Sequence, residues 1–207
     1  MTAALLAFTA ASVLIVLLPG PDTLVVVRGL LRGGRRESIR TAIGVLSGLF
    51  VWVVAAAFGL SAVVRASHTG YTLLRAAGAV YLIWLGVRSL RARMLLRDDV
   101  VVPRPRRRAL LGSGFGAGLA TDLLNPKVGV FFVSFLPGFL PAGYGIATAS
   151  LLFGAIFIVE TAIYFVVLIG LATRVTAWMT NTRIRRRLDR VTGVVLIGFG
   201  VRLATET

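Results

Sequence analysis

Thr41-Ala-Ile-Gly-Val-Leu-Ser-Gly-Leu-Phe-Val-Trp-Val-Val-Ala-Ala-Ala-Phe-Gly-Leu-Ser-Ala-Val-Val64 contains no ionisable side chain. A helix of that length, at about 1.5 Å per residue, crosses a hydrocarbon core of about 30 Å. Backbone in lipid must satisfy its own hydrogen bonds, which leaves helices or a closed barrel. Continuous apolar runs, without the alternation of barrel strands, select helices. Working outward, similar runs predict six spans, at about 3–27, 41–64, 70–90, 109–138, 145–173 and 187–204. The last is short and contains Arg202, which can snorkel to the interface. The chain is 57% hydrophobic over 207 residues, with a mean hydropathy of +0.88. The first run has no basic segment ahead of it and continues through Pro19–Asp22, so it reads as a mature span rather than a cleaved signal.

The net charge of +15 would suggest nucleic acid in a soluble protein, but no reader motif accompanies it. The basic residues fall in three segments between apolar runs: five Arg between Arg28 and Arg40, eight between Arg88 and Arg108, and six between Arg174 and Arg190. Nineteen of the 23 basic residues thus lie on one face, while the other loops, around His68 and over 139–145, are nearly bare. The positive-inside bias makes the basic face cytoplasmic and puts both termini outside the cell membrane. With no Cys and a single His there is no thiolate chemistry, and neither metal nor cofactor is expected.

The linker over 91–108, with Asp98, Asp99, Pro103 and Pro105, divides one transmembrane domain into a repeat over 1–90 and a repeat over 109–207. Three spans per half make the second half enter from the opposite side, the arithmetic of an inverted repeat in secondary transporters. The first span of each half carries a proline beside a charge, Pro21-Asp22 and Pro126-Lys127. Pro19-Gly20-Pro21 and Asn125-Pro126 should break their helices, since proline lacks an amide donor and clashes with the preceding turn. Half-helix ends then offer partial charges, N-termini to a carboxylate and carbonyl ends to a cation. The expected fold is therefore all-α, with six transmembrane helices as two inverted three-helix repeats, the first helix of each broken at proline.

Four ionisable residues lie well inside predicted spans, away from their ends: Asp22, Asp122, Lys127 and Glu160. Such residues face a cavity or each other, because a charge at the bilayer centre costs at least ~2.5–3.5 kcal/mol. Lys127 is the only Lys in a chain whose other basic residues are all Arg. It reads either as a site for a carboxylate or a proton-coupling position, or as one half of a structural ion pair with Asp22 or Asp122. Tyr164 stands one helical turn from Glu160 on the same face. Gly44 and Gly48, the glycines from Gly112 to Gly118, and Gly78 and Gly86 read as close-packing positions, which would also serve a homo-oligomer.

Leu18-Pro-Gly-Pro-Asp22, Gly78-Ala-Val-Tyr-Leu-Ile-Trp-Leu-Gly86, Phe115-Gly-Ala-Gly118, Leu124-Asn-Pro-Lys127 and Phe131-Phe132 together resemble the lysine exporter (LysE/RhtB) family, in an order that covers nearly the whole chain. The resemblance implies a six-span bacterial inner-membrane exporter of amino acids or related metabolites, driven by the proton gradient as an antiporter. It supports Pro19, Gly20, Pro21, Asp22, Asn125, Pro126 and Lys127 as functional positions. Asp122, Glu160 and Tyr164 rest on the physical argument alone. In this reading Lys127 meets the carboxylate of a zwitterion, and Asp22 or Glu160 meets its ammonium. The competing readings are a same-fold exporter of a cation or another solute, and an intramembrane enzyme built on an Asp22–Asp122 dyad. Neither aspartate lies in a known hydrolase motif, and HExxH, GxSG and GxGD are all missing.

Overall fold

The computed structural model describes residues 1–66, 68–95, 112–141 and 143–171, with scattered positions between 187 and 205. Most of the linker over 91–108, the third basic segment and the continuous course of the expected last span lie outside the described residues. All the regular structure among the described residues is helical: α1 (Thr2–Leu17), α2 (Pro21–Ala66), α3 (His68–Leu95), α4 (Phe115–Leu123), α5 (Pro126–Val130) and α6 (Ile146–Gly170). A wide turn over Phe131–Phe135 and a tight one over Leu136–Phe139 prolong α5. Two helices are long and apolar enough to cross a membrane, and α4 with the extended α5, bent by 49°, makes a third such unit. The chain is an all-helical membrane protein.

The first expected span is interrupted where its prolines stand. α1 stops at Leu17, and α2 starts at Pro21. α1 alone is roughly 24 Å long, too short for a core of ~30 Å. The fourth is interrupted at Leu124-Asn125, and α5 restarts with Pro126 at its first position. Pro at that position is favourable, because its missing N–H would have had no helical partner anyway.

The first basic segment differs from the expected connecting loop, being helical almost throughout. α2 contains Gly33 (φ −133°, ψ 17°) and Gly34 (φ +66°, ψ −161°), and the second of these conformations is open only to glycine. The hydroxyl of Ser38 donates to Val26 O at 2.9 Å, across residues that a straight helix would hold about 18 Å apart. The chain therefore reverses at this two-glycine turn, and α2 is a hairpin of two limbs, Pro21–Arg32 and Arg35–Ala66. Arg28, Arg32, Arg35, Arg36 and Arg40 are all exposed around the turn.

The second limb of α2 lies directly against α4. A Cβ at Gly44 would collide with Phe115 O, and one at Gly118 with Thr41 O, so the two backbones touch. The pairing is tied at one end by polar contacts. Gly114 (φ +94°) donates its N–H to Thr41 Oγ1 at 2.9 Å, Thr41 Oγ1 donates to Glu37 O at 2.8 Å, and Ser113 Oγ donates to Glu37 Oε1 at 2.9 Å. Gly86 of α3 is also packed on Gly193, though less tightly, a Cβ there coming within 2.7 Å of Gly193 O.

The apolar interior has two parts. One is aromatic and joins Phe8 and Ile15 of α1 to Leu49 and Val53 of α2, the Phe131–Phe139 turns and Phe153 and Phe157 of α6. The rings of Phe8 and Phe153 lie 4.7 Å apart, and those of Phe131 and Phe157 4.6 Å apart. The other joins Val25, Val26 and Val27 of the first α2 limb to Ala42, Val45, Ala117 and the Phe165–Ile169 end of α6. α1 packs on the first and the first α2 limb on the second, so the first break lies between them. The same holds for α5 and α4 at the second break. α6 spans both, with Glu160 and Tyr164 between its two contact regions. The outward residues are apolar, Val159, Ile163 and Val166 on α6 and Phe50 and Phe58 on α2 among them, as suits a lipid-facing surface.

Candidate functional site

The two helix breaks meet and exchange hydrogen bonds. Asn125 caps α5 by accepting Lys127 N–H on Oδ1 at 3.0 Å. The other end of the same amide donates Nδ2–H to Asp22 Oδ2 at 2.6 Å, a charge-assisted bond from the second break to the first. In return, Lys127 Nζ donates to Ile15 O at 2.7 Å and to Leu18 O at 2.9 Å. The chemistry of proline explains this acceptor. In an unbroken helix Ile15 O would take the N–H of residue 19, and Pro19 has none. Leu18 N–H covers it in part, at 3.2 Å, and the ammonium supplies the rest. A cation at the carbonyl end of α1 also suits that helix dipole, while Asp22, in the first turn of α2, suits the opposite end of the next.

The neighbouring backbone makes room for this crossing. A Cβ at Gly20 would lie 3.7 Å from Lys127 Cδ and 3.8 Å from Nζ, so Gly20 borders the lysine. Pro21 and Pro126 set the first residue of each restarted helix, and a charged residue follows each of them.

Asp122, in the last turn of α4, is 0% exposed, and neither carboxylate oxygen has a hydrogen-bond partner among the described residues. Its side chain packs on Gly48, where a Cβ would come within 2.5 Å of Oδ2. Its main-chain oxygen is well used, accepting Asn125 N–H at 2.9 Å and Trp52 Nε1–H at 3.3 Å. Asp22 Oδ1 and both oxygens of Glu160 are likewise buried without a partner among the described residues. On α6, Tyr164 OH lies 3.3 Å from Thr23 Oγ1, just past the first break. Glu160 faces Ser12 of α1, just before it. The Glu160–Tyr164 face of α6 therefore straddles the first break.

Of the residues singled out from the sequence, Pro19, Gly20, Pro21, Asp22, Asn125, Pro126 and Lys127 form one cluster. Asp122 adjoins it through Asn125, and Tyr164 reaches it through Thr23. The structure does not pair Lys127 with Asp22 or Asp122, nor Glu160 with Lys127. The only ion pair among the described residues is Arg40–Glu37, at 3.7 Å near the glycine turn. Asp22 is within electrostatic range of both Lys127 and Asp122 without touching either. Sequence reasoning missed Ser12, Thr23, Trp52 and the Ile15 and Leu18 carbonyls. Ser12 and Thr23 carry a faint signal, as small hydroxyls in an apolar run. The carbonyls carry one only through the prolines that follow them.

Beside Asn125, a cavity of about 420 Å³ opens between α3 and the second break, with Trp52, Ala77, Tyr81, Leu123, Pro126 and Val133 in its wall. Trp52 lies against α5 because residue 129 is glycine, where a Cβ would stand 2.9 Å from the indole ring.

Comparison with known proteins places this sequence in a family. The model of the LysE type translocator matches residues 13–207. An uncharacterized membrane protein of Bacillus subtilis, YrhP, is 30% identical over 96% of this chain and 97% of its own length. The threonine efflux protein of Escherichia coli K12 is 32% identical over 89% of each chain. The homoserine/homoserine lactone efflux protein of Salmonella typhimurium is 26% identical over 96% of this chain and 95% of its own. No solved structure gives a significant match. The crossed helix breaks thus sit in a translocator sequence matched from residue 13 to residue 207, and the chain belongs to the LysE type translocator family.

Proposed function

We propose that the chain exports amino acids across the bacterial inner membrane, seats them at the crossed breaks and exchanges them for protons. The observation that carries this reading is the reciprocal exchange itself. Lys127 occupies the carbonyls of one broken helix, and Asn125 beside it holds Asp22 at the start of the next. These are the two kinds of partner a zwitterion needs. Carbonyls and a carboxylate receive an α-ammonium, while a lysine and a helix N-terminus receive an α-carboxylate. In this mechanism the substrate ammonium displaces Lys127 from Ile15 O and Leu18 O, and the freed lysine pairs with the substrate carboxylate. Without substrate, Lys127 fills the place of the ammonium.

The buried oxygens of Asp122 and Glu160 supply the coupling. A proton is the partner that an otherwise unpartnered buried carboxylate lacks. The two breaks belong to two inverted repeats of three spans, 1–90 and 109–207, joined by a cytoplasmic linker over 91–108, with both termini outside. Relatives named for threonine and homoserine efflux support an amino-acid substrate, and membership in a translocator family favours transport over hydrolysis. The decisive measurement is export from dipeptide-fed cells that carry the chain or its variants, with membrane insertion checked by blotting. Lys127→Ala and Asp22→Asn are each expected to lower export at least ~10-fold, the loss of about 1.4 kcal/mol of binding. Export by both variants at the unmodified rate would remove the crossed breaks from the transport path. In inverted vesicles, an imposed pH gradient should drive uptake by the unmodified chain but not by Asp122→Asn.

A further inference from the structure

We propose that the cavity beside Asn125 is the side-chain pocket of the transport site, and that it selects amino acids with a bulky apolar side chain. The proposal rests on the reading of the crossed breaks as the seat of the α-ammonium and α-carboxylate, and it adds the substrate class.

Three observations carry it. The first is continuity: Asn125 and Pro126, the residues of the second break, are also part of the cavity wall. A molecule whose charged end rests at the breaks has this space directly beside it. The second is chemistry. The polar atoms that the break and Trp52 bring to the wall are already committed elsewhere. Trp52 Nε1–H is given to Asp122 O, and the two ends of the Asn125 amide are taken by Asp22 and by Lys127 N–H. Ala77, Leu123, Val130 and Val133 offer only carbon, and Tyr81 brings the one phenol. A substrate hydroxyl would lose its water there with little in return, whereas a hydrocarbon side chain would gain by leaving water. The third is size. The space is a groove open along one side, and its volume of about 420 Å³ leaves room for a leucine or phenylalanine side chain laid against its wall. Gly129 belongs to the same design, because without a Cβ there the benzo edge of the Trp52 indole can rest against α5.

The test is counterflow by the purified full-length chain in proteoliposomes, with labelled leucine, phenylalanine, alanine, threonine and homoserine. Leucine or phenylalanine should exceed threonine at least ~10-fold, the low end of what a methylene-sized difference achieves in an apolar pocket. Val133→Phe, which fills the cavity, should lower the leucine-to-alanine ratio about tenfold by the same measure. Ala77→Leu, a smaller change on a different helix, should lower it in the same direction and decides the matter if the first variant does not insert. Val133→Ala should raise the phenylalanine-to-alanine ratio. Preference for threonine or homoserine would overturn the apolar pocket and leave the crossed breaks standing. Leucine transport with a ratio unmoved by the filling variants, as for a cavity occupied by a lipid chain, would overturn it as well. Failure to move any amino acid would overturn the underlying reading together with this one.

Discussion

Asn125→Ala separates two jobs that one side chain does. The amide oxygen caps α5 through Lys127 N–H, and the amide nitrogen holds Asp22 Oδ2 at 2.6 Å. Loss of an N-cap of this type costs about 1 kcal/mol. Loss of a hydrogen bond to a carboxylate costs about 2 kcal/mol, within the range for charged partners. The penalty falls on an Asp22 whose other oxygen already has no partner among the described residues. Asn125→Ala should therefore destabilise the chain by about 3 kcal/mol in all. The two parts are separable in a double-mutant cycle with Asp22→Ala, which removes the acceptor, measured by reversible unfolding in mixed micelles. The coupling energy should be about 2 kcal/mol, the share of the bridge alone. Asn125→Asp gives a second view. It keeps a good cap but turns the donor into a second carboxylate facing Asp22, so it should be no more stable than the alanine variant. A coupling energy below about 0.5 kcal/mol, the scatter expected of independent sites, would refute the bridge between the breaks.

Gly34→Ala places a Cβ on a residue at φ +66° and ψ −161° and should cost about 1–3 kcal/mol in the same unfolding assay, whereas Gly170→Ala, in open space at the end of α6, should be nearly neutral. Thr41→Val removes the hydroxyl that accepts Gly114 N–H and should lower stability by about 1–3 kcal/mol, the cost of an unsatisfied buried donor, with a fall in melting temperature as the readout. The chain has no cysteine, so single ones report sidedness directly: Thr2→Cys should react with an impermeant maleimide in intact spheroplasts and Arg36→Cys only after permeabilisation, and the reverse pattern would invert the proposed topology.

How far the sequence could be read depended on where the signal lay. Helical class followed from local composition: 24 uncharged residues in a row leave little choice. Both breaks were legible because proline acts on its own helix, through an amide it lacks and a turn it disrupts. The reversal at Gly33-Gly34 was not. Its effect depends on Gly34 taking a left-handed conformation, which the letter G permits but does not require. The carbonyl partners of Lys127 were not legible for a different reason. An isolated Lys among apolar residues points to a carboxylate by charge, but its acceptors are carbonyls, and main-chain atoms have no letter. Trp52 with Asp122 and Thr23 with Tyr164 join residues 70 and 141 positions apart, beyond the reach of any local pattern.

The division of the interior explains why the polar groups gather where they do. Each broken span leaves a short piece in each apolar cluster, so the joints lie in the layer between them. A joint in lipid exposes carbonyls and amides that only protein or water can satisfy. The chain meets that demand by crossing the joints. Asn125 gives one N–H to Asp22 and takes another from α5, and Lys127 takes over the carbonyl that Pro19 leaves without a donor. A lysine fits this role better than an arginine would. Its compact head can be inserted between two carbonyls on a flexible stem and withdrawn again, whereas a guanidinium fork would hold a fixed planar geometry. Of the 23 basic residues, the one placed at a joint is the one Lys, and the other 22 are Arg. The choice of residue type thus follows from the acceptors as much as from the charge. Those acceptors exist because Pro19 interrupts the helix that would otherwise have consumed them.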